Sequence, residues 1–335
     1  MDSVKKLNDY VIGIDIGATK SHCALFSTSG NLIDLCHWGP LNHEILPGSF
    51  AQFEDELRQF IVSSLVKNNI EIQQIAYSVF GVAGVDTKKQ HHIVSEIIKN
   101  IGLKQITLLN DGFLGITAGI PSGTGICANN GTGCTLAGIN NKGNMLQIGG
   151  VGFISSDYGG GGFLGEKIIS AVYSELFRKG EKTCMTDILF KKLGIHDKHD
   201  FVEKIYEKID DNSFQVKSCV KFLFEAVSKN DNIAKNIVLN IAESYANGIT
   251  CMIEELQFSR EENVNIVFTG SVFVKSEDPL MLNTLKKKVN MDNQGYSINY
   301  TLLDLPPVAG AVIWALNSLD SNQKYFNKVT SQFSN

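Results

Sequence analysis

The sequence predicts an α/β protein built as two similar lobes, and three observations carry that prediction. Residues Tyr10 to Leu32 (YVIGIDIGATKSHCALFSTSGNL) read as an apolar strand, a small-residue turn and a return strand. Ile126 to Met145 (ICANNGTGCTLAGINNKGNM) repeat that plan further along. With 335 residues, the chain exceeds the roughly 250 to 300 at which single hydrophobic cores stop growing, so two cores have room.

The first hairpin carries unusual chemistry for a bare turn. Asp15 sits at the strand end, and Gly17, Ala18, Thr19 and Lys20 follow within five residues. Gly17 and Ala18 let backbone N–H groups approach a bound group, Thr19 and Lys20 supply donors for phosphate oxygens, and Asp15 can hold magnesium, usually through water. An ordinary hairpin with a polar turn has the same outline. The second copy favours the phosphate reading: Gly131-Thr132-Gly133 form its turn, and Asn129 falls where Asp15 fell, two residues before the glycine. Two such hairpins suggest halves facing one another across a nucleotide.

Bulk properties exclude several classes. The composition, 43% hydrophobic and 19% charged, is that of a globular protein, and the net charge is −5. The largest basic cluster is Lys286-Lys287-Lys288, expected as one solvated helix face, so no nucleic-acid footprint is predicted. No apolar run approaches the roughly 18 residues of a membrane helix, and no signal-like segment opens the chain. The expected location is the cytoplasm. Seven cysteines form no CxxC pair and read as reduced, mostly buried thiols, with Cys127 and Cys134 on the strands of the second hairpin as packing residues.

Residues 31 to 37 predict a third strand completing a meander. Gly39-Pro40 then break it and leave Asn42, His43 and Glu44 in a loop. Phe50 to Lys67 predict an amphipathic helix with Phe53, Leu57, Phe60 and Ile61 on one face. Ile75 to Phe80 predict a buried strand feeding Gly81-Val82-Ala83-Gly84-Val85-Asp86, where Asp86 either lines a site or caps the helix carrying Ile93, Ile97 and Ile98. Ile106 to Asn110 predict a strand ending in Asp111. Open α/β sheets place catalytic groups at such ends, and a carboxylate there can accept a proton from an attacking alcohol. A cap for a short helix Phe113 to Gly119 is the other role open to Asp111. Pro121-Ser122-Gly123 mark a boundary between domains.

In the second half, Gln147 to Gly165 hold eight glycines in nineteen residues, which predicts a mobile loop rather than a regular element, leading into a helix Glu166 to Arg178. Its formal GxGxxG match is rejected because no βαβ unit begins there. Residues 180 to 230 read as helical, with 181 to 199 as a surface excursion. Asp231 to Gln257 predict the clearest helix, capped by Asp231. A strand Asn265 to Phe268 enters Thr269-Gly270-Ser271, either a ligand-facing turn or a plain one. A last strand, Tyr296 to Leu303, precedes a final helix opened by Pro306-Pro307.

In order and spacing, Asp15 to Lys20, Asn110-Asp111, Gly131-Thr132-Gly133, Gly149-Gly150-Val151-Gly152 with Asp157, and Val267 to Ser271 resemble the sugar kinase, heat-shock ATPase and actin superfamily. Within it, the chain looks like the N-acetylglucosamine kinases of the BadF/BadG/BcrA/BcrD ATPase group. The resemblance implies two ribonuclease H-like (actin-like ATPase) domains flanking a nucleotide cleft. It implies a first domain of residues 1–120 plus 311–335 and a second of 121–310. It also implies ATP and Mg²⁺ as cofactors and a homodimer. Phosphate contacts would come from Gly17, Ala18, Thr19, Lys20, Gly131, Thr132 and Gly133, and adenosine contacts from Gly270 and Ser271. Sugar contacts would come from Asn42, Gly84, Asp86, Asp111, Thr135 and Asp157, with Asp111 as general base and Asp15 toward magnesium.

Two departures concern the sugar. Val151 stands where a Trp is usual, and Tyr158-Gly159-Gly160 stand where Glu-Gly-Ser is usual. The implied reaction is phosphorylation of a primary hydroxyl of an amino sugar, N-acetylglucosamine at its 6-position first, with N-acetylmuramic acid, glucosamine or another hexose as alternatives. An ATPase driving a partner enzyme, as dehydratase activators do, and a nucleotide- or sugar-sensing module are the readings from other classes.

Overall fold

The computed structural model describes residues 9–157, 159–276, 278–320 and 325–333. Its first sheet begins with the predicted meander, β1 (Tyr10–Ile16), β2 (Ser21–Ser27) and β3 (Leu32–Trp38). Helix α1 (Ser49–Lys67) leads to β4 (Ile75–Val82), and α2 (Lys88–Ile101) to β5 (Ile106–Leu109). Strands β4 and β5 add in parallel, giving the order β3-β2-β1-β4-β5. A short helix, α3 (Leu114–Gly119), then crosses to the second sheet.

The second sheet repeats this plan. A meander of β6 (Gly125–Asn130), β7 (Cys134–Ile139) and β8 (Met145–Gly149) comes first. Helices α4 (Gly161–Phe177), α5 (Met185–Leu193), α6 (Phe201–Asp210), α7 (Val220–Ser228) and α8 (Asn232–Glu255) follow. Then come β9 (Asn263–Thr269), α9 (Ser271–Val274), α10 (Leu280–Asp292) and β10 (Ser297–Leu302). Read from the β8 edge, the order is β8-β7-β6-β9-β10, with β9 and β10 parallel to β6, so each strand has a counterpart in the first sheet. The long helix α8 is held as its sequence predicts: the Asp231 carboxylate accepts from Ala234 N at 2.8 Å, and Ile241, Tyr245, Ile249 and Met252 are buried.

Period-two alternation explains how the first sheet is covered. Ile12, Ile14 and Ile16 pack with α1 and α2 through Leu57, Phe60, Val94 and Ile98. Val11 lies on the other face with Val79, Val308, Val312 and Leu316. The latter three belong to α11 (Val308–Leu319), which returns to the first sheet after the chain has built the second. Its approach is close enough to demand glycine: a Cβ on Gly13 would lie 2.8 Å from Val312 N, and one on Gly310 would lie 2.0 Å from Leu114 O. Thr117 Oγ1 donates to Gly310 O at 2.9 Å, tying α11 to the crossing helix α3. Burial of each large apolar side chain at this seam contributes on the order of 1.5–3 kcal/mol.

Several expectations are corrected. The glycine-rich stretch is partly regular, because Gln147 to Gly149 pair with β7 and α4 begins at Gly161, five residues before the expected start. Gly161 and Gly165 are buried, and the contact at Gly165 is tight: a Cβ there would lie 2.1 Å from Val216 O. The 181–199 segment is no mere surface excursion, since Met185, Leu189 and Leu193 enter the main core of the second lobe. The predicted final helix is followed by α12 (Phe326–Thr330), which docks beside β3 where Leu32 N donates to Gln332 Oε1 at 2.7 Å. The lysine triplet does not share a solvated face: Lys286 lies over the Phe268 and Tyr300 rings, and Lys288 pairs with Asp292. Tyr158, one of the departures from the family pattern, lies outside the described residues.

Candidate active site

The two hairpin turns meet. In the first, Gly17 N donates to Lys20 O (3.2 Å), and in the second, Gly131 N donates to Gly133 O (3.0 Å). Thr19 Oγ1 and Thr132 Oγ1 hydrogen bond directly across the cleft at 2.9 Å. Gly17, Ala18, Thr19 and Lys20 thus face Gly131, Thr132 and Gly133, with Thr19, Lys20, Thr132 and Gly133 exposed at the rim. The N-terminus of α4 abuts the second turn: Gly161 N donates to Gly131 O at 2.9 Å, and a Cβ on Gly160 would lie 2.6 Å from Thr132 O. The positive end of that helix dipole therefore lies at the phosphate-type turns, a contribution hidden in the sequence by the misplaced helix start.

The β6 and β9 ends lie side by side beyond the turn. Thr269 Oγ1 donates to Asn129 Oδ1 at 3.2 Å, and Tyr245 Oη donates to Asn129 O at 2.7 Å. Gly270 has a φ of 87°, and a Cβ there would lie 2.3 Å from the backbone of Asn130. Only glycine fits that position, and it leaves bare backbone between the strand end and exposed Ser271.

At the other end of the cleft the carboxylates gather. Asp86 does not cap α2, because Thr87 does: Thr87 Oγ1 accepts from Gln90 N (3.2 Å), and Gln90 Oε1 accepts from Thr87 N (2.9 Å). Nor does Asp111 cap the turn that follows β5, because Asn110 Oδ1 accepts from Gly112 N at 2.9 Å. Both acids are thereby left to the site. Asp86 Oδ1 accepts from Asn110 Nδ2 (2.8 Å) and from Gln147 Nε2 (2.6 Å). Asp157 accepts from Gly150 N (3.1 Å) and Gly152 N (2.7 Å). A Cβ on Gly150 would lie 3.1 Å from Asp86 Oδ1 and 3.2 Å from Thr135 Oγ1, and one on Gly149 would lie 3.2 Å from Asp157 Oδ1. Asp86, Thr135 and Asp157 therefore converge on the two glycines.

Asn42 joins this group from the first lobe and is no solvated loop residue. It is buried, accepts from Glu44 N at 2.8 Å, and packs against Gly84, whose φ is 83°.

Burial, reinforced by the charges of Asp15 and Asp86, pushes the Asp111 carboxyl up to about 7. Burial also raises Asp86, with Glu44 and Asp157 adding to it, while hydrogen bonds from Gln147 and Asn110 oppose the rise. A carboxylate poised near neutrality is suited to taking a proton from an alcohol. Asp15 lies 3.4 Å from His22 Nδ1. Among the described residues no cluster of three or more metal-ligating side chains occurs. A single carboxylate beside a phosphate site fits magnesium, which keeps waters and binds through one or two carboxylates plus substrate phosphates.

The contacts link the facing turns to the acids: Asp15, beside the first turn, and Asp86 both act on Asp111, and Asp86, Thr135 and Asp157 meet at Gly149-Gly150. Sequence reasoning missed Gln147, His22 and the capping role of Asn110. Gln147 is the sole polar side chain from Met145 to the Gly149-Gly150 pair, which was its one available signal.

Similarity to known proteins spans both lobes. The family model of BadF/BadG/BcrA/BcrD ATPases matches residues 12–315. The chain belongs to this family. This BadF/BadG/BcrA/BcrD ATPase is 27% identical over 286 residues to an N-acetylmuramic acid/N-acetylglucosamine kinase of Clostridium acetobutylicum, covering 84% of this chain and 91% of that one. It is 25% identical over 316 residues to an N-acetyl-D-glucosamine kinase of Dictyostelium discoideum, covering 92% and 98%. Among solved structures, a provisionally assigned N-acetylglucosamine kinase from Chromobacterium violaceum superposes with a TM-score of 0.66 at 15% identity, over 92% of this chain and 99% of that one. The fold is therefore that of the two-lobed actin-like and sugar-kinase architecture, as predicted.

Proposed function

We propose that this BadF/BadG/BcrA/BcrD ATPase is an ATP-dependent kinase that phosphorylates a primary hydroxyl of an amino sugar, with the 6-hydroxyl of N-acetylglucosamine as the first candidate. N-acetylmuramic acid stands beside it, because the Clostridium acetobutylicum relative is named for both sugars. The observation that carries the reading is Asp111, a carboxyl raised to about 7 by burial and by the charges of Asp15, beside the first phosphate-type turn, and of Asp86, on the acceptor side.

In this reading the triphosphate lies between Gly17 to Lys20 and Gly131 to Gly133, with adenosine along Gly270 and Ser271. The acceptor is held by Asn42, Gly84, Asp86, Thr135 and Asp157. Asp111 orients the attacking hydroxyl and accepts its proton, and the remaining catalysis is positioning and neutralisation of phosphate charge. Magnesium, near Asp15, would supply that neutralisation when bound. Closure of the lobes would exclude water, which otherwise competes with the sugar for the phosphoryl group.

The same reading divides the chain into 1–120 plus 311–335 and 121–310, supported by the packing of α11 on β1 and β4. It takes the protein to be a homodimer of the cytoplasm, for which sedimentation of the purified chain is the direct check. The test of activity is a coupled ADP-release assay over a panel of hexoses and amino sugars, repeated with Asp111→Asn. Sugar-dependent ADP release in the wild type and its loss in the variant are expected. ADP release that ignores the sugar in both proteins would sink the proposal.

A further inference from the structure

Asp86 is an acceptor-side carboxylate held by both lobes. Asn110, from the end of β5, and Gln147, from β8 in the second sheet, donate to the same oxygen, Oδ1, at 2.8 and 2.6 Å. The backbone N–H of Asp86 donates to Gln90 Oε1 at 3.2 Å, and Gln90 is fixed in turn by the cap of α2 and by Glu44. Gly150, which follows β8, brings Thr135 to the same point, since a Cβ there would touch Gln147 Nε2, Asp86 Oδ1 and Thr135 Oγ1. Gln147 is half-buried and lies on an outer strand of its sheet, so it has no comparable part in holding the core together.

We propose that Gln147 is a positioning residue of the acceptor site: its amide, reaching across the cleft from the second lobe, fixes the Asp86 carboxylate so that acceptor binding depends on the two lobes being correctly apposed. Asp86 Oδ1 is occupied by the two amides, which leaves Oδ2 to face an acceptor hydroxyl. The amide also offsets the negative charge that Glu44, Asp111 and Asp157 direct at Asp86 from the loop after β3, the end of β5 and the loop after β8. The phosphate turns touch neither group. Gln147 therefore governs the acceptor and leaves the nucleotide alone.

The inference rests on the kinase reading, and the experiment separates the two. Steady-state ADP release is measured for wild type, Gln147→Ala and Gln147→Glu, with N-acetylglucosamine and N-acetylmuramic acid varied at saturating ATP, then ATP varied at saturating sugar. Loss of a hydrogen bond to a charged group predicts that Gln147→Ala raises the acceptor KM roughly ten- to a hundredfold. The KM for ATP should stay within about twofold of wild type by the same separation of sites.

Gln147→Glu sets a carboxylate against Asp86, and two such groups regain a hydrogen bond only by sharing a proton. Its acceptor KM, divided by the wild-type value at each pH, should fall as the pH is lowered from about 8.5 to about 6, while the same ratio for Gln147→Ala stays flat. Melting temperatures of the three proteins, with and without sugar, confirm that the folded states are compared. An active wild type with an unchanged acceptor KM in Gln147→Ala, or equal rises for sugar and ATP, overturns the inference alone. A wild type that releases ADP with no sugar of the panel overturns the kinase reading first.

Discussion

The two lobes share one strand plan and differ at the same strand ends. Where β1 ends in Asp15, β6 ends its corresponding position in Asn129. Where β4 runs out to Gly84 and Asp86, β9 runs out to Gly270 and Ser271. Where β5 delivers buried Asn110 and then Asp111, β10 delivers Leu303, buried in an apolar cluster beside α3, and then Asp304, which is exposed. At the hairpin turns, the acid therefore lies on one side only. A triphosphate between two carboxylate-bearing lobes would meet like charge from both, whereas a neutral amide on one side leaves that approach open. Gathering Asp15, Asp86 and Asp111 in the first lobe has its own effect, since Asp15 and Asp86 both help raise Asp111.

Removing the acid that the asymmetry protects should have the largest effect. Asp111→Asn is expected to lower kcat by about 10²- to 10⁴-fold with little change in the KM for ATP. In the wild type, kcat/KM for the sugar should rise with pH and level off above about 7, where Asp111 is ionised. The stability effect has the opposite sign. A carboxyl raised on folding loses stability as pH climbs from its unfolded value through its folded one, so Asp111→Asn should melt higher than wild type at pH 8 and not at pH 4. Calorimetry at the two pH values checks this.

Exchanging the paired strand ends tests the comparison itself. Asp15→Asn should raise the magnesium concentration for half-maximal rate at least about tenfold, and Asn129→Asp should raise the KM for ATP by a similar factor through repulsion. Asn129→Asp with unaltered ATP kinetics would break the charge argument.

Glycines give a smaller contrast. Gly270→Ala should cost about 1–3 kcal/mol of stability in chemical denaturation, and weaken ATP binding, because its φ is positive and Asn130 is too close. Gly133→Ala meets nothing within 4 Å and should leave stability within about 0.5 kcal/mol. The smallest effect belongs to the turn contact. Thr19→Ala and Thr132→Ala each remove one neutral hydrogen bond at an exposed rim and should change the KM for ATP only about two- to tenfold.

The parts of this arrangement that were legible in the sequence are those with a local cause. Alternation and small-residue turns located both hairpins, and helical periodicity located α1 and α8 with the Asp231 cap. The position of Asp111 just past the end of β5 was legible because the apolar run Ile106 to Leu109 stops there. The caps stayed open because Asp86-Thr87 and Asn110-Asp111 each offer two capping residues in succession, and only the three-dimensional hydrogen bonds choose between them. The glycine-rich stretch hid a strand end and a helix start, because glycine's backbone freedom was counted while the close contacts at Gly160 and Gly165 come from distant residues. Gln147 was invisible for the same reason, since its meaning lies in a partner 61 positions away.

The return of α11 has a consequence for how the protein is made. The five strands of the first sheet have all been synthesised by residue 109, yet the face bearing Val11, Ala24, Phe26 and Val79 waits for a helix that begins at residue 308. At translation speeds of about 5–20 residues per second, that oily surface stays uncovered for roughly 10–40 s. During those seconds the nascent chain is a natural client for chaperones, and the second lobe matures before the first one can.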